Sequence, residues 1–466
     1  MQIPILSGIF TDQAADFRTG YPVNLVPVPK ESGIAAGYLR PGDGLVQFAT
    51  GIGLDRGGIF WEGALYRVSG TSLIEISSTG AVTTLGTIPG ADPVTFDYSF
   101  DRLAIAGGGN LYYWDGVTLT QVTDPDLGIV LDVIWVDGYF MTTDGEFLVV
   151  TDLTNPLAVN PLKYGTAEAD PDPVVALLKI RNEVYAVNRH TIEVFDNVGG
   201  DFFPFARIEG AQIEKGALGT HACCVFAERV ALLGGGFNEG FAIWSCYNAS
   251  AVKISTREIE QILENYSETT LANAVLEQRI DKTHQHLYVH LPDRTLVYDQ
   301  EASRVMGRPV WFVLTTAVEG FSRYRARGWV YAYDKWIAGD PTSALISYAS
   351  DTVSSHFGSI VRWEFGTAIV YNDAKGAIFH RLELISLTGR VALGADPLIW
   401  TSYSINGLTW SQPRYARVGK IGDYGIRVAW LQQGFMRNWR IQRFQGSSDA
   451  HISIARLEVT LEGLAY

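Results

Sequence analysis

The chain has 466 residues, 47% of them apolar and only 18% charged, with 48 glycines. That composition supplies large cores and many tight turns, and it excludes a disordered chain. A formal charge of −14 argues against ordinary duplex-DNA binding, which relies on Lys and Arg neutralising phosphates.

Residues 1–45 read as an arm, interrupted by Pro22, Pro27, Pro29 and Pro41. Proline removes the N–H that a central strand needs. The segment YPVNLVPVPK favours extended or polyproline-like backbone. It suits lying along a neighbour; the alternative is a strand closing the β-array that follows, plus a surface loop. The opening MQIPILSGIFTDQ has no basic n-region or long apolar h-region, so no signal peptide is expected. No run of about 18 apolar residues occurs, so no membrane anchor is expected.

From Gly57 to about Asp351 the pattern is alternating strands punctuated by Gly, Asp and Asn turns. A hairpin unit recurs within it. ALYRVSGTSLIEI at Ala64 to Ile76 returns as NLYYWDGVTLTQV at Asn110 to Val122, offset by 46 residues. A third copy, EVYAVNRHTIEVF from Glu183 to Phe195, replaces the turn Gly with Arg189. A looser one, HLYVHLPDRTLVYD, runs from His286 to Asp299. Self-similarity near 40 to 50 residues is what propeller blades leave in a sequence. One small antiparallel sheet cannot bury both faces alone, so blades stack around an axis. Candidate hairpins lie near 57–77, 101–123, 132–153, 174–196, 220–247, 283–299 and 328–348. The count is six blades, with seven open, because the hairpins near 140 and 232 match the unit poorly.

One helix interrupts this run. Ser255 and Glu258 are spaced as a capping box, and Ile259, Ile262, Leu263 and Tyr266 share one face. A second helical turn is expected from Glu268 to about Leu276. An amphipathic helix in an all-β array covers its own blade's edge or a neighbouring subunit. From about Thr352 the strands lengthen and become rich in Trp, Arg and Ile, as in FMRNWRIQRF, which reads as a β-sandwich. The expected organisation is an all-β chain: 1–56 arm and closing strand, 57–351 propeller with a helical segment near 255–276, and 352–466 a C-terminal β-sandwich-like domain.

Charge is uneven. Residues 1–300 carry 18 Lys+Arg against 37 Asp+Glu, a net of −19, and residues 301–466 carry 18 against 13, a net of +5. This suits head-to-tail docking or is merely a solvated acidic surface. The basic C-terminal cluster is Arg414, Arg417, Lys420, Arg427, Arg437, Arg440 and Arg443, interleaved with Trp430, Trp439 and Phe444. It suits docking an acidic ring or touching phosphates, or is a salt-bridged sheet face.

Catalytic signals are absent. The Gly107–Gly109 and Gly234–Gly236 stretches lack the Gly-Lys-Ser/Thr of a phosphate loop, and no G-x-S-x-G, H-E-x-x-H or EF-hand pattern occurs. Asp124, Asp126, Asp170 and Asp172 sit in Asp-Pro turns, which read as turn-forming side chains rather than calcium ligands. HQHLYVH places His284, His286, Tyr288 and His290 on one strand face. That face suits a metal or is the polar side of an outer blade strand. Ser404 to Trp410 resembles a shortened Asp-box turn, a folding element. Glycosidase chemistry needs two placed carboxylates, and none are nominated. Cys223, Cys224 and Cys246 offer no CxxC pair and read as buried apolar groups made in a reducing compartment. No catalytic, cofactor or metal residue is assigned.

The stretches PVNLVPVPKESGIAAGYLRPGDGL, GALYRVSGTSL, KGALGTHACCVFAERVALLGGG, TREIEQILENYS and HLYVHLPDRTLVYD, in order over residues 20–315, resemble the packaged-DNA stabilisation protein family of short-tailed phages, also called the tail hub or nozzle. The C-terminal portion resembles the family less closely. The resemblance implies a structural virion protein without catalytic residues. It would form a hexameric ring below the portal and adaptor, retain the packaged genome, carry fibres or spikes, and hold a needle or plug. DNA would pass an acidic lumen without sequence-specific binding. The implied location is the virion tail, assembled in the bacterial host cytoplasm. Expected partner contacts are Pro22, Asn24, Pro29, Tyr38 and Arg40 in the arm, and Arg437, Arg440 and Arg443 in the basic cluster. Mutating those three arginines together is expected to weaken ring attachment more than monomer folding. The alternative functions are a receptor-binding or carbohydrate-binding tail propeller and a polysaccharide-degrading enzyme.

Overall fold

The hairpin unit explains itself in the computed structural model, which describes residues 2–3, 21–30, 35–167, 171–200, 202–373, 375–391, 395–406, 409–447 and 452–464. Leu65 and Val68 of strand Ala64–Ser69 pair with Ile76 and Leu73 of strand Ser72–Ile76 and are fully buried. Gly70 turns the chain at φ 60°, a left-handed conformation that glycine adopts without strain. In the third copy, where Arg189 stands in the turn, the Asp172 carboxylate instead accepts from His190 N at 2.6 Å and Thr191 N at 3.0 Å.

Among the described residues seven such sheets form, the alternative left open beside the count of six. Blades 1 to 6 span 55–87, 95–121, 132–166, 174–207, 216–253 and 275–314. Blade 7 joins Arg327–Ala332, Lys335–Gly339 and Leu345–Ser350 to Gly44–Thr50, a strand from the opposite end of the chain. The two poorly matching hairpins both belong to full blades. In blade 3 an Asp144 side chain, accepting from Phe147 N at 2.7 Å, shapes the turn. Blade 5 splits its inner edge into Gly216–Ala217 and Cys223–Phe226.

The innermost strands touch in sequence and the last touches the first, closing the ring. Carboxylates tie neighbouring blades. Asp97 accepts from Trp135 N at 2.6 Å, Asp132 from Leu177 N at 2.8 Å, and Glu277 from Gly328 N and Trp329 N at 3.1 and 2.7 Å. Part of the acidity is therefore structural. Burial pushes the Asp132 carboxyl up to about 7, against the bonds from Leu177 N and Val133 N that favour its charge. A raised carboxyl contributes stability below its unfolded pKa of about 3.9 and loses it as pH climbs toward 7. Denaturant titrations at pH 4.5 and 7.5 should show wild type losing on the order of 2 kcal/mol relative to Asp132→Asn over that window. Parallel behaviour of the two proteins would refute the assignment.

Helices α1 (Arg257–Leu263) and α2 (Glu268–Ala272) cover blades 5 and 6 of their own chain. Ile259 and Leu263 are buried there, with Ile262 and Tyr266 packed beside them. The Ser255 capping box does not form. Thr256 is the N-cap, its hydroxyl bonded to Tyr21 of the arm, while Ser255 Oγ accepts from Ile243 N at 3.2 Å. A third helix, α3 (Gln300–Met306), was not expected. Seven residues are too few to display a helical period, but Asp299 caps it and Gly307 ends it at φ 65°.

The C-terminal sandwich packs two sheets. One runs in the order Leu25–Pro29, Gly37–Pro41, Ser453–Gly463, Ala377–Leu387, Val428–Leu431; the other runs Trp363–Gly366, Trp439–Gly446, Leu398–Ser404, Arg414–Arg417. The described arm is thus a hairpin of its own chain's sandwich, with Leu25 and Leu39 buried against Trp363, Phe365 and Phe444. Pro27 and Pro29 are tolerated because their strand lies at the sheet's edge.

Candidate functional site

The residues expected to meet partners separate into those used inside the chain and those left outside. Pro22 O accepts from Val313 N at 2.8 Å, joining the arm to blade 6. Asn24 is 6% exposed and sits at φ 52°, a left-handed position that asparagine tolerates. Its Nδ2 donates to Thr315 O at 2.9 Å and Arg362 O at 2.7 Å, and its Oδ1 accepts from Thr315 N at 3.0 Å. One side chain therefore staples arm, propeller and sandwich. Pro29 and Tyr38, partly exposed near the hairpin tip, remain open to contact.

Arg40 belongs to a polar junction where the arm meets blades 6 and 7. It pairs with Asp43 at 3.0 Å and with Asp281, and Asp43 also pairs with Arg279. Asp43 is desolvated, yet the two guanidiniums hold its carboxyl well below the usual range. Arg279 lies over the Trp329 ring at 4.7 Å. His290 Nε2 lies 2.6 Å from Glu277, the carboxylate that also accepts from blade 7. The histidine-bearing face is consequently not the polar side of an outer strand. His286, Tyr288 and His290 are buried, and the sheet face they share packs on blade 7 and the arm. Alternation showed the shared face, but only the neighbouring blade reveals that it is interior.

The basic cluster divides likewise. Arg414, Arg417, Lys420, Arg427 and Arg437 are exposed, near Tyr415, Tyr424, Leu431 and Phe435, each more than half exposed. Arg440 is not a surface contact. It is 0% exposed, held between the rings of Phe379 at 4.3 Å and Tyr403 at 3.8 Å. Arg443 is half-buried over Trp410 at 4.0 Å. The triple arginine variant would therefore disturb folding, because Arg440 belongs to the core.

The turn aspartates hold backbone. Asp124 accepts from Asp126 N and Val159 N, both at 3.0 Å; Asp170 lies outside the described residues. Asn406 Oδ1 accepts from Thr409 N at 2.9 Å, closing the Asp-box-like turn, of which residues 407–408 lie outside the described residues. The cysteines are free, two buried and one partly so, and burial pushes all three thiols up. A cavity of about 330 Å³ between blades 6 and 7 is lined by Asn273, His290, Arg323, Tyr324, Arg327 and Pro341 among others, and no Asp or Glu is among its described lining residues. The paired carboxylates of a glycosidase are not there.

Two family models cover the chain: bacteriophage P22 Gp10, β-propeller, over residues 1–354, and bacteriophage P22 Gp10, β-sandwich, over residues 362–462. The tail hub protein gp10 of Salmonella phage P22 is 26% identical over 482 residues, spanning 99% of this chain and 99% of that protein. Among solved structures, the Pan2 WD40 domain of Neurospora crassa is similar at a TM-score of 0.44 and 11% identity, covering 66% of this chain and 95% of that one. The N-terminal domain of Nup159 is similar at 0.43 and 9%, covering 71% and 99%. At those scores neither likeness bears on function.

Proposed function

Since the chain belongs to the bacteriophage P22 Gp10 family and is a tail hub protein, a structural component of a phage virion tail, we propose that it forms a ring below the portal and adaptor that retains the packaged genome and lines the DNA exit channel. The observation that carries this reading is the end-to-end match, propeller and sandwich together, to a tail hub. The ring is hexameric, contacts fibre or spike and needle or plug proteins, assembles in the host cytoplasm and has no catalytic activity. Charge supports the arrangement. Residues 1–351 carry 24 Lys+Arg against 42 Asp+Glu, whereas residues 352–466 carry 12 against 8. An acidic channel releases DNA that a basic one would hold, and the exposed arginines with their aromatic neighbours fit an acidic protein surface.

Deleting the gene tests the assignment. Heads should package DNA and then leak it, measured as nuclease-protected DNA, with portal vertices lacking their lower ring. Sealed heads with complete vertices would overturn it. Within the ring, Arg437→Glu combined with Lys420→Glu should leave the unfolding midpoint unchanged and lower incorporation into heads by about tenfold, as for charges at an interface rim. Normal incorporation would remove this face from the contact.

A further inference from the structure

We propose that His284, His286 and Asp299 form a binding site for a divalent transition-metal ion of the zinc class. His284 and His286 alternate along strand His284–His290, so both side chains leave the same face. Asp299, ending strand Thr295–Asp299, pairs directly opposite His286. His284 Nδ1 lies 2.7 Å and His286 Nε2 3.2 Å from the same carboxylate oxygen, Asp299 Oδ2. All three ligand atoms fall within 4.8 Å of one another, the one such His/Cys/Asp/Glu group among the described residues.

Tetrahedral zinc, with bonds of about 2.0–2.2 Å, sets its ligand atoms about 3.3 Å apart. The two histidine-to-carboxylate separations, 2.7 and 3.2 Å, are near that value, and with the whole set within 4.8 Å, rotation of the imidazoles about their side-chain bonds would bring the three atoms around one ion. Two imidazoles and one carboxylate select zinc, cobalt or nickel over calcium or magnesium, which prefer all-oxygen sets.

The surroundings position the set. Asp299 Oδ1 accepts from Ala302 N at 2.9 Å, so the cap of α3 fixes the carboxylate's orientation. Phe312 meets the His286 ring edge-on at 5.5 Å and shelters it. His286 and Asp299 are buried, while the His284 side chain is 22% exposed, so the set meets solvent on the His284 side. Because α3 also contacts the arm strand Leu25–Pro29, a bound ion would brace blade 6 and the helix beneath that strap.

The test uses the full chain, free of affinity tags and stripped with chelator, titrated with Zn²⁺ by calorimetry and with Co²⁺ by visible absorption. One ion per chain, a cobalt ligand-field band and a rise in Tm with Zn²⁺ are expected. His286 and Asp299 are buried, and their variants risk unfolding. His284 is partly exposed, so His284→Ala and His284→Gln are the working variants, checked for folding by circular dichroism. Each should weaken Zn²⁺ by at least the roughly tenfold typical of losing a ligand's support and shrink the Tm rise at a fixed Zn²⁺ concentration. A wild-type chain that holds no stoichiometric ion, or folded His284 variants that bind as wild type does, would overturn the proposal.

Discussion

Replacing Arg67 by leucine is expected to lower the unfolding free energy by about 3–5 kcal/mol, the cost of leaving a buried charge without its partner. Arg67 is 0% exposed and donates to both Asp55 oxygens at 2.7 Å. It also donates to Gly328 O at 3.0 Å, across the seam where blade 7 meets blade 1. Arg327 reaches back from blade 7 to Asp55 O at 3.2 Å. On the Gly339 side Asp55 packs directly against the backbone, where an added Cβ would collide with its carboxylate. The variant thus strands Asp55 in a low-dielectric seam, at the point where the ring closes. Adding Asp55→Asn removes the orphaned charge and should recover part of the loss, so the double variant should be less destabilised than the sum of the singles. Urea titrations of the four proteins measure this. A single-variant loss below about 1 kcal/mol would show that the seam does not depend on the pair.

What the sequence revealed followed the reach of its signals. Leu65, Gly70 and Ile76 announce a hairpin because their spacing is local, and all seven candidate hairpins fall in separate blades. The blade count fell short where local chemistry changed: Asp144 shapes one turn and a split inner edge alters blade 5. Gly44–Thr50 pairs with Leu345–Ser350, almost the whole propeller away in sequence, and periodicity carries no information at that range. The arm misled for the same reason. Its prolines suit an edge strand, but nothing local states that the sheet it edges is formed by residues 377–463. In the candidate site, alternation put the histidines on one face, and only blade 7 makes that face interior. Arginines close in sequence read as one surface cluster, although alternate strand residues point opposite ways.

That last point leads to Arg440→Ala, for which a loss of about 3 kcal/mol or more is expected. Strand Trp439–Gly446 lies inside its sheet, with Leu398–Ser404 on one side and Trp363–Gly366 on the other. The Arg440 guanidinium donates to Gln433 O at 2.6 Å and twice to Gln442 Oε1, at 3.1 and 2.9 Å. Burial pushes its pKa down to about 10, so it stays charged at neutral pH. Its charge is met by two aromatic faces, with no carboxylate paired to it among the described residues. Alanine would orphan both acceptors and open a slot between Phe379 and Tyr403. Methionine fills that slot with a flexible side chain and removes the desolvated charge, so Arg440→Met should lose about half as much. The exposed Arg437, three residues earlier, should tolerate alanine without a shift in the unfolding midpoint. Thermal melts of the three single variants decide the matter. Equal tolerance at 437 and 440 would restore one surface cluster, whereas the expected split takes Arg440 out of the proposed contact surface and leaves it to hold the sandwich together.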